Sequence, residues 1–149
     1  MKSEPSELSI DDLGQMPGQT VPWFGVRNYQ ARNFMLKEMR PGDGVLFYHS
    51  SCSEPGIAGL AIVATAAYPD ATQFDPESKY FDPKSTLDKP RWHNVDIRLE
   101  RKIRFIPLVE LRTHTQLKNL RILQRGNRLS ITPVSLDEWQ FIADCLLAS

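Results

Sequence analysis

The sequence predicts an α+β domain: a mostly antiparallel, barrel-like β-sheet flanked by short helices. Three observations carry that expectation. Two apolar strand candidates, VLFYHS at 45–50 and GIAGLAIVATAAY at 56–68, are separated by only a short connection, which favours an antiparallel pair. From Trp92 onward Val95, Ile97 and Leu99 alternate with Asn94, Asp96, Arg98 and Glu100, the two-residue period of a half-exposed sheet. The helical segments do not interleave with strands as βαβ units. At 149 residues, 41% hydrophobic and 24% charged, the chain is expected to fold as one domain over 1–149.

The elements follow in chain order. Ser9, with Asp12 three positions later, gives a cap-like start to a short helix at Ile10 to Leu13. WFGVRNYQARN at 23–33 then gathers an indole, two guanidiniums, a phenol and three side-chain amides. Ala31, Phe34, Met35 and Met39 recur at helical spacing, with Asn28 as N-cap and Arg40-Pro41-Gly42 as the stop. Trp23, Arg27 and Asn28 fall ahead of that helix or at its first turn, where free backbone N–H groups hold polar or anionic ligands. The alternative is that Trp23 belongs to the core and Arg27 to the surface or an ion pair.

VLFYHS ends in three polar side chains, an unusual close for a buried strand. Gly56 and Gly59 permit a bulge or a close approach in the next strand. Residues 69–90 form a long loop with prolines at 69, 76, 83 and 90 and the tripeptide FDP twice. Such a loop in a small domain is functional or disordered, and Phe74, Tyr80 and Phe81 favour one pinned to the body. Pro107 opens a helix at about 107–113, Gly126 closes a helical stretch at about 116–124, and RLSITPV reads as a last short strand. Ser135 and Glu138 make a capping box for a terminal helix whose apolar stripe is Trp139, Ile142 and Leu146.

Eighteen basic and eighteen acidic residues cancel, but residues 91–128 hold ten Lys/Arg against three acids, whereas residues 1–90 hold eight against twelve. That asymmetry suits a phosphate-facing surface or a merely solvated face. Cys52 and Cys145 are the only cysteines, and His49 with Cys52 has no second pair to complete four metal ligands, so no metal and no cofactor is expected. PGDG lacks the Lys-Ser/Thr of a phosphate loop. The segment MKSEPSELSIDD lacks a signal-peptide apolar region and residues 56–68 are too short to span a bilayer, so a cytoplasmic protein is expected, with no membrane partner. His49, His93, His114, Ser3, Ser50, Ser130, Cys52 and Glu4 are the candidate catalytic groups, and none sits in a nucleophile-elbow or catalytic-Cys context. In PRWHNV, Arg91 beside Trp92 can stack on a base or hold a phosphate; a core-edge Trp with a surface Arg is the alternative.

Taken together, MKSEPSELSIDDL, WFGVRNYQARN, MRPGDGVLFYHSSCSEPGIAGLA, YPDATQFDPESKYFDPKS, PRWHNVDIR and LQRGNRLSITPVSLDEW resemble the EVE domain family of the PUA-like group, whose eukaryotic members form the thymocyte nuclear protein group. The resemblance implies a twisted β-barrel with flanking helices, and a non-enzymatic nucleic-acid-binding domain that reads a modified base such as 5-methylcytosine or 5-hydroxymethylcytosine in DNA or RNA. It implies a cytoplasmic location, or a nuclear one in a eukaryote. Carried onto this sequence, it makes Trp23 and Trp92 the pocket walls, with Tyr48 alongside. Lys2, Ser3, Glu4, His49, Ser50 and Ser130 become contacts to the base edge, and Arg27, Asn28 and Arg91 the rim toward phosphate. The family commonly has an aromatic-bearing strand segment ahead of KSEP. Since this sequence starts at Met1, either the start is trimmed or part of the first strand and one pocket-side aromatic are missing. Two other classes stay open: an RNA-modifying enzyme or hydrolase using Glu4 or His49 as acid/base, and a module for a small molecule or protein.

Overall fold

The computed structural model describes residues 1–147. Its centre is an open five-stranded sheet, curled into a half-barrel, with strand order β1-β3-β4-β7-β2. The strands are β1 (Lys2–Ser3), β2 (Thr20–Pro22), β3 (Gly44–His49), β4 (Gly56–Val63) and β7 (Asp96–Pro107). β5 (Tyr68–Pro69) and β6 (His93–Asn94) form a separate two-stranded ribbon. The β3–β4, β4–β7 and β2–β7 pairs are antiparallel, as the pattern predicts, but β1 runs parallel to β3 in the register Lys2↔Tyr48 and Ser3↔His49.

Side chains leave β3 on alternate faces, and both faces are covered, which is why VLFYHS reads as a nearly continuous apolar run. Val45 and Phe47 enter one core with Ile10, Leu13, Trp23, Met35 and Ile97. Leu46 and Tyr48 enter a second with Ile57, Ile106, Leu111, Leu120 and Ile142. Gly59 lets α1 (Ile10–Gln15) close on the sheet: a Cβ there would collide with the Ile10 side chain. The ladder slips on both sides of this segment, between Phe47 and Tyr48 toward β3 and between Ile57 and Gly59 toward β7. Both glycine expectations are therefore met in one strand.

α1 and the terminal helix α4 (Leu136–Phe141) each carry the capping box read from the sequence. α2 (Tyr29–Asn33) starts at Asn28, whose Oδ1 accepts the Ala31 N–H at 3.0 Å, and widens into a π turn over Phe34–Glu38. α3 (Leu108–Leu111) follows Pro107. Three expectations need correction. β4 stops at Val63 rather than reaching Tyr68. The stretch at 116–124 is two 3₁₀ turns, Thr115–Leu117 and Arg121–Leu123, because its buried Leu117 and Leu120 are three apart, a spacing that one tight turn satisfies. RLSITPV forms no strand: Ile131 is buried, but its neighbour Ser130 gives only one backbone bond to the sheet, accepting from Lys2 N–H at 2.8 Å.

Candidate functional site

Asp70 organises the long loop. Asp-Ala-Thr closes a side-chain turn in which Asp70 Oδ1 accepts the Thr72 N–H at 2.8 Å and the Thr72 hydroxyl at 2.5 Å. Its other oxygen accepts the Gly25 N–H at 2.8 Å and Arg27 Nη1 at 3.1 Å. Burial works to raise this carboxyl, but the bonds from Thr72, Gly25 and Arg27 outweigh it and hold its pKa below the usual carboxylate value. Arg27 also gives Nε and Nη2 to the Tyr80 carbonyl at 3.1 and 2.8 Å, Nη2 to Thr72 Oγ1 at 3.0 Å, and Nη1 to the Val26 carbonyl at 3.0 Å. All five donors of its guanidinium are thereby engaged inside the protein. Arg27 is a brace for the loop rather than a free cation at a rim.

Planar groups stack outward from that brace. The Arg27 guanidinium lies 5.6 Å from the Tyr80 ring centroid and 5.3 Å from that of Trp92. Tyr29 stacks on Trp92 at 4.7 Å and 20°, and Arg32 lies 4.7 Å over Tyr29. Trp92 Nε1 donates to Asp82 at 2.7 Å, which Arg91 reaches at 3.4 Å. Buried Gln73 clips the loop shut, accepting from the Arg91 and Trp92 N–H groups and donating to the Asp70 and Trp92 carbonyls. Trp92 is only 6% exposed, whereas Tyr29 is 46% exposed and Phe24, edge-on to Tyr80, is 50% exposed. Tyr29, Arg32, Asp70, Gln73, Tyr80 and Asp82 were not among the sequence-derived candidates. In the sequence Tyr80 reads only as an aromatic that pins the loop and Tyr29 and Arg32 only as members of the 23–33 stretch, while Asp70-x-Thr72 carries the local signal of a side-chain turn.

The other candidates meet at the β1–β3 end. Ser50 N–H donates to the Ser3 carbonyl at 2.9 Å, and Ser3 Oγ donates to the Leu8 carbonyl at 2.7 Å. His49 Nε2 accepts the Ile10 N–H at 3.1 Å, so it caps the first turn of α1 and its Nδ1 carries the proton of the neutral ring. Burial lowers its pKa, with Asp11 and Asp12 opposing. Trp23, 9% exposed, sits behind this end in the first core, edge-on to Phe47 at 5.8 Å, and Phe47 meets His49 at 5.8 Å. Tyr48 points to the second core, away from Phe47. Among the described residues, the side chains of Lys2, Glu4, Ser50 and Ser130 make no hydrogen bond or ion pair, and Asn28 Nδ2 has no partner. Partial burial holds the Lys2 ammonium below the usual lysine value. Ser51, immediately after, adopts φ +53°, a left-handed backbone rare outside glycine. Lys79 and Glu7, 3.5 Å apart, bring the tip of the Tyr80 turn against the segment that follows Glu4.

A separate groove of about 400 Å³ runs along β3, lined by Met1, Phe34, Val45, Leu46, Ile131 and Trp139 among others; Tyr48 is the one candidate that borders it. The Met1 amine at its edge donates to the Leu46 carbonyl at 2.9 Å, and burial, aided by Lys2, pushes that amine down to about 5. Among the described residues no cluster of three His, Cys, Asp or Glu is placed to hold a metal, and no helix is long and apolar enough to cross a membrane.

The EVE domain model matches residues 1–145. Thymocyte nuclear protein 1 of Homo sapiens is 46% identical over 160 aligned positions, covering 95% of this chain and 70% of that protein. Its counterpart in Danio rerio is 45% identical, covering 95% and 68%. Among solved structures, a Pseudomonas putida protein superposes with a TM-score of 0.90 at 49% identity, covering 96% of this chain and 95% of that one. The crystal structure of human THYN1 protein in complex with 5-methylcytosine-containing DNA gives 0.89 at 45% identity, covering 95% and 92%.

Proposed function

The chain belongs to the EVE domain family, and from that premise we propose that it is a non-enzymatic reader of a modified base, 5-methylcytosine or its hydroxymethyl derivative, in DNA or RNA. One observation carries the reading: a protein 45% identical over 95% of this chain, with the same fold, crystallised with 5-methylcytosine-containing DNA. The local chemistry agrees with it. Lys2, Glu4, Ser50 and Ser130 hold unspent donors and acceptors beside Ser3 and His49 at one end of the sheet, a set suited to the edge of a base. Trp23 backs that end through Phe47, and on this reading the Trp92–Tyr29 stack, Arg91 and the amide of Asn28 are assigned to the sugar-phosphate side. Tyr48 supports the floor from the opposite face of the sheet. His49 Nε2, the lone pair that a His49 base would use, is already accepting the Ile10 N–H, which argues against His49 as a general base.

Magnitudes shape the specificity. Taking a base out of a duplex costs a few kcal/mol, and stacking on an aromatic returns roughly 1–3 kcal/mol per base. A buried methyl adds only about 0.8 kcal/mol, about a fourfold preference, so stronger discrimination must come from the polar edge. The test is fluorescence anisotropy with matched oligonucleotides, unmodified, 5-methylated and 5-hydroxymethylated, single-stranded and duplex, across a salt series. Tighter binding of a modified form at fixed salt, lost in the Lys2→Ala/Ser50→Ala double variant at unchanged melting temperature, supports the reading. Modification-blind binding that disappears with salt leaves a generic basic surface and refutes it.

A further inference from the structure

Leu87 is the most exposed large apolar side chain among the described residues, at 83%. Val109 and Leu136 come next, at 76% and 72%, but both belong to helices that cover the second core. Leu87 stands instead at the tip of a built projection. Two successive turns form it. Ser85 N–H donates to the Asp82 carbonyl at 3.1 Å, and Lys89 N–H donates to the Thr86 carbonyl and hydroxyl, each at 3.1 Å. Leu87 occupies the second position of the Thr86–Lys89 turn, where proline and polar residues normally sit. The foot of the projection is the loop face itself. Asp82 accepts from Trp92 Nε1 and Arg91, Asp82 N–H donates to the Gln73 carbonyl at 3.0 Å, and Arg91 N–H reaches Ser85 Oγ at 3.3 Å. Lys84 and Lys89 are exposed on either side of Leu87, and neither ammonium has a partner among the described residues; Asp88, also exposed, is the one acid of the tip.

A leucine held 83% exposed on an ordered tip, between two free cations and rooted through Asp82 in the Trp92 stack of the loop face, has the properties of a wedge. A reader that extracts a base from a duplex leaves a gap in the stack, and an apolar side chain inserted there recovers part of the unstacking cost while flanking cations meet the phosphates. We propose that Leu87 enters the base stack of duplex DNA where the modified base leaves it, with Lys84 and Lys89 on the adjoining phosphates. This rests on the base-reading function above and adds to it the preferred substrate, a duplex rather than a strand already open.

The experiment uses the whole chain, a duplex with one 5-methylcytosine next to 2-aminopurine, and the same methylated strand alone. For Leu87→Ala the duplex affinity falls about tenfold while single-strand affinity changes less than about twofold, because a wedge acts only on a stack that must be opened. The rise in 2-aminopurine emission on binding is lost with it, and Leu87→Met restores both. An equal loss on both substrates, or no loss on either, overturns the wedge while leaving base reading in place. A wild-type protein that ignores the methyl group on both substrates overturns the base reading, and the wedge falls with it.

Discussion

The loop face and the sheet end are held in opposite ways. On the loop face, side chains do the holding, mostly by gripping backbone groups: Arg27 spends five donors, Asp70 accepts from three residues, and Gln73 uses both ends of its amide. At the sheet end the backbone does the positioning, through the β1–β3 ladder and the Lys2 N–H to Ser130 bond, and the side chains of Lys2, Glu4, Ser50 and Ser130 stay uncommitted. The lesson is that polar residues drawn together by one motif divide into those that build a site and those left to work in it. Stability and binding should therefore respond to different substitutions.

The sharpest way to break that division is at Trp23, which lies between the two regimes. Trp23 is 9% exposed and packs edge-on to Phe47 in the first core, so Trp23→Ala is expected to cost about 3–5 kcal/mol, lowering the melting temperature by roughly 10 °C or more. A variant that keeps its melting temperature and loses only binding would make the indole a ligand contact. Arg27→Ala comes next. Removing one partner of a buried pair costs about 3–5 kcal/mol when both are enclosed. The Arg27 side chain is 22% exposed and Asp70 keeps its bonds from Gly25 and Thr72, so about 2–3 kcal/mol is expected by urea unfolding. Limited proteolysis should then cut the variant within residues 70–90 faster than it cuts the wild type.

Acid titration isolates the same brace with a smaller signal. The folded-state pKa of Asp70 is held below its ordinary value, so its contribution is fully present above the unfolded carboxylate value near 4 and is lost as pH falls through the folded one. Arg27→Ala removes one of the bonds that hold the pKa down. The variant, less stable at neutral pH, should lose less further stability than wild type between pH 5 and 3. Subtracting the two urea-derived profiles cancels groups common to both; parallel profiles would mean that Arg27 does not stabilise the carboxylate.

What could be read in advance follows from range. Capping at Ser9, Asn28 and Ser135 involves residues three apart, and the strand at 45–49 is a single apolar run, so these stand as the pattern predicts; that both its faces are buried emerges only in the fold. The pairing of Arg27 with the Tyr80 carbonyl joins residues 53 apart, and Gln73 meets Trp92 across 19, with no periodicity to announce either. Tyr80 packs over Gly25, whose φ of +85° and lack of a Cβ make room for the ring; a Cβ there would lie 2.7 Å from it. Within WFGVRNYQARN the fold packs Trp23 into the first core and pairs Arg27 with Asp70, as one of the two readings of that stretch has it. β1 spans two residues, too few to display a period, so the KSEP motif alone marks its place.

Ser50→Ala should have the smallest effect on the fold and so sharpens the comparison most cleanly. Its backbone N–H to the Ser3 carbonyl survives the substitution, and its hydroxyl has no partner among the described residues to lose. Unfolding free energy should stay within about 0.5 kcal/mol of wild type, the range for surface changes that remove no contact. If the hydroxyl meets the base edge, affinity for the modified strand falls by roughly 1 kcal/mol, about fivefold, the net worth of one hydrogen bond. Anisotropy and thermal melting on the same sample separate the outcomes. Lower affinity at unchanged melting temperature places Ser50 in the working set at the sheet end. A fall in both would mean that the left-handed turn at Ser51 depends on the hydroxyl, and that the sheet end, like the loop face, is held by its side chains.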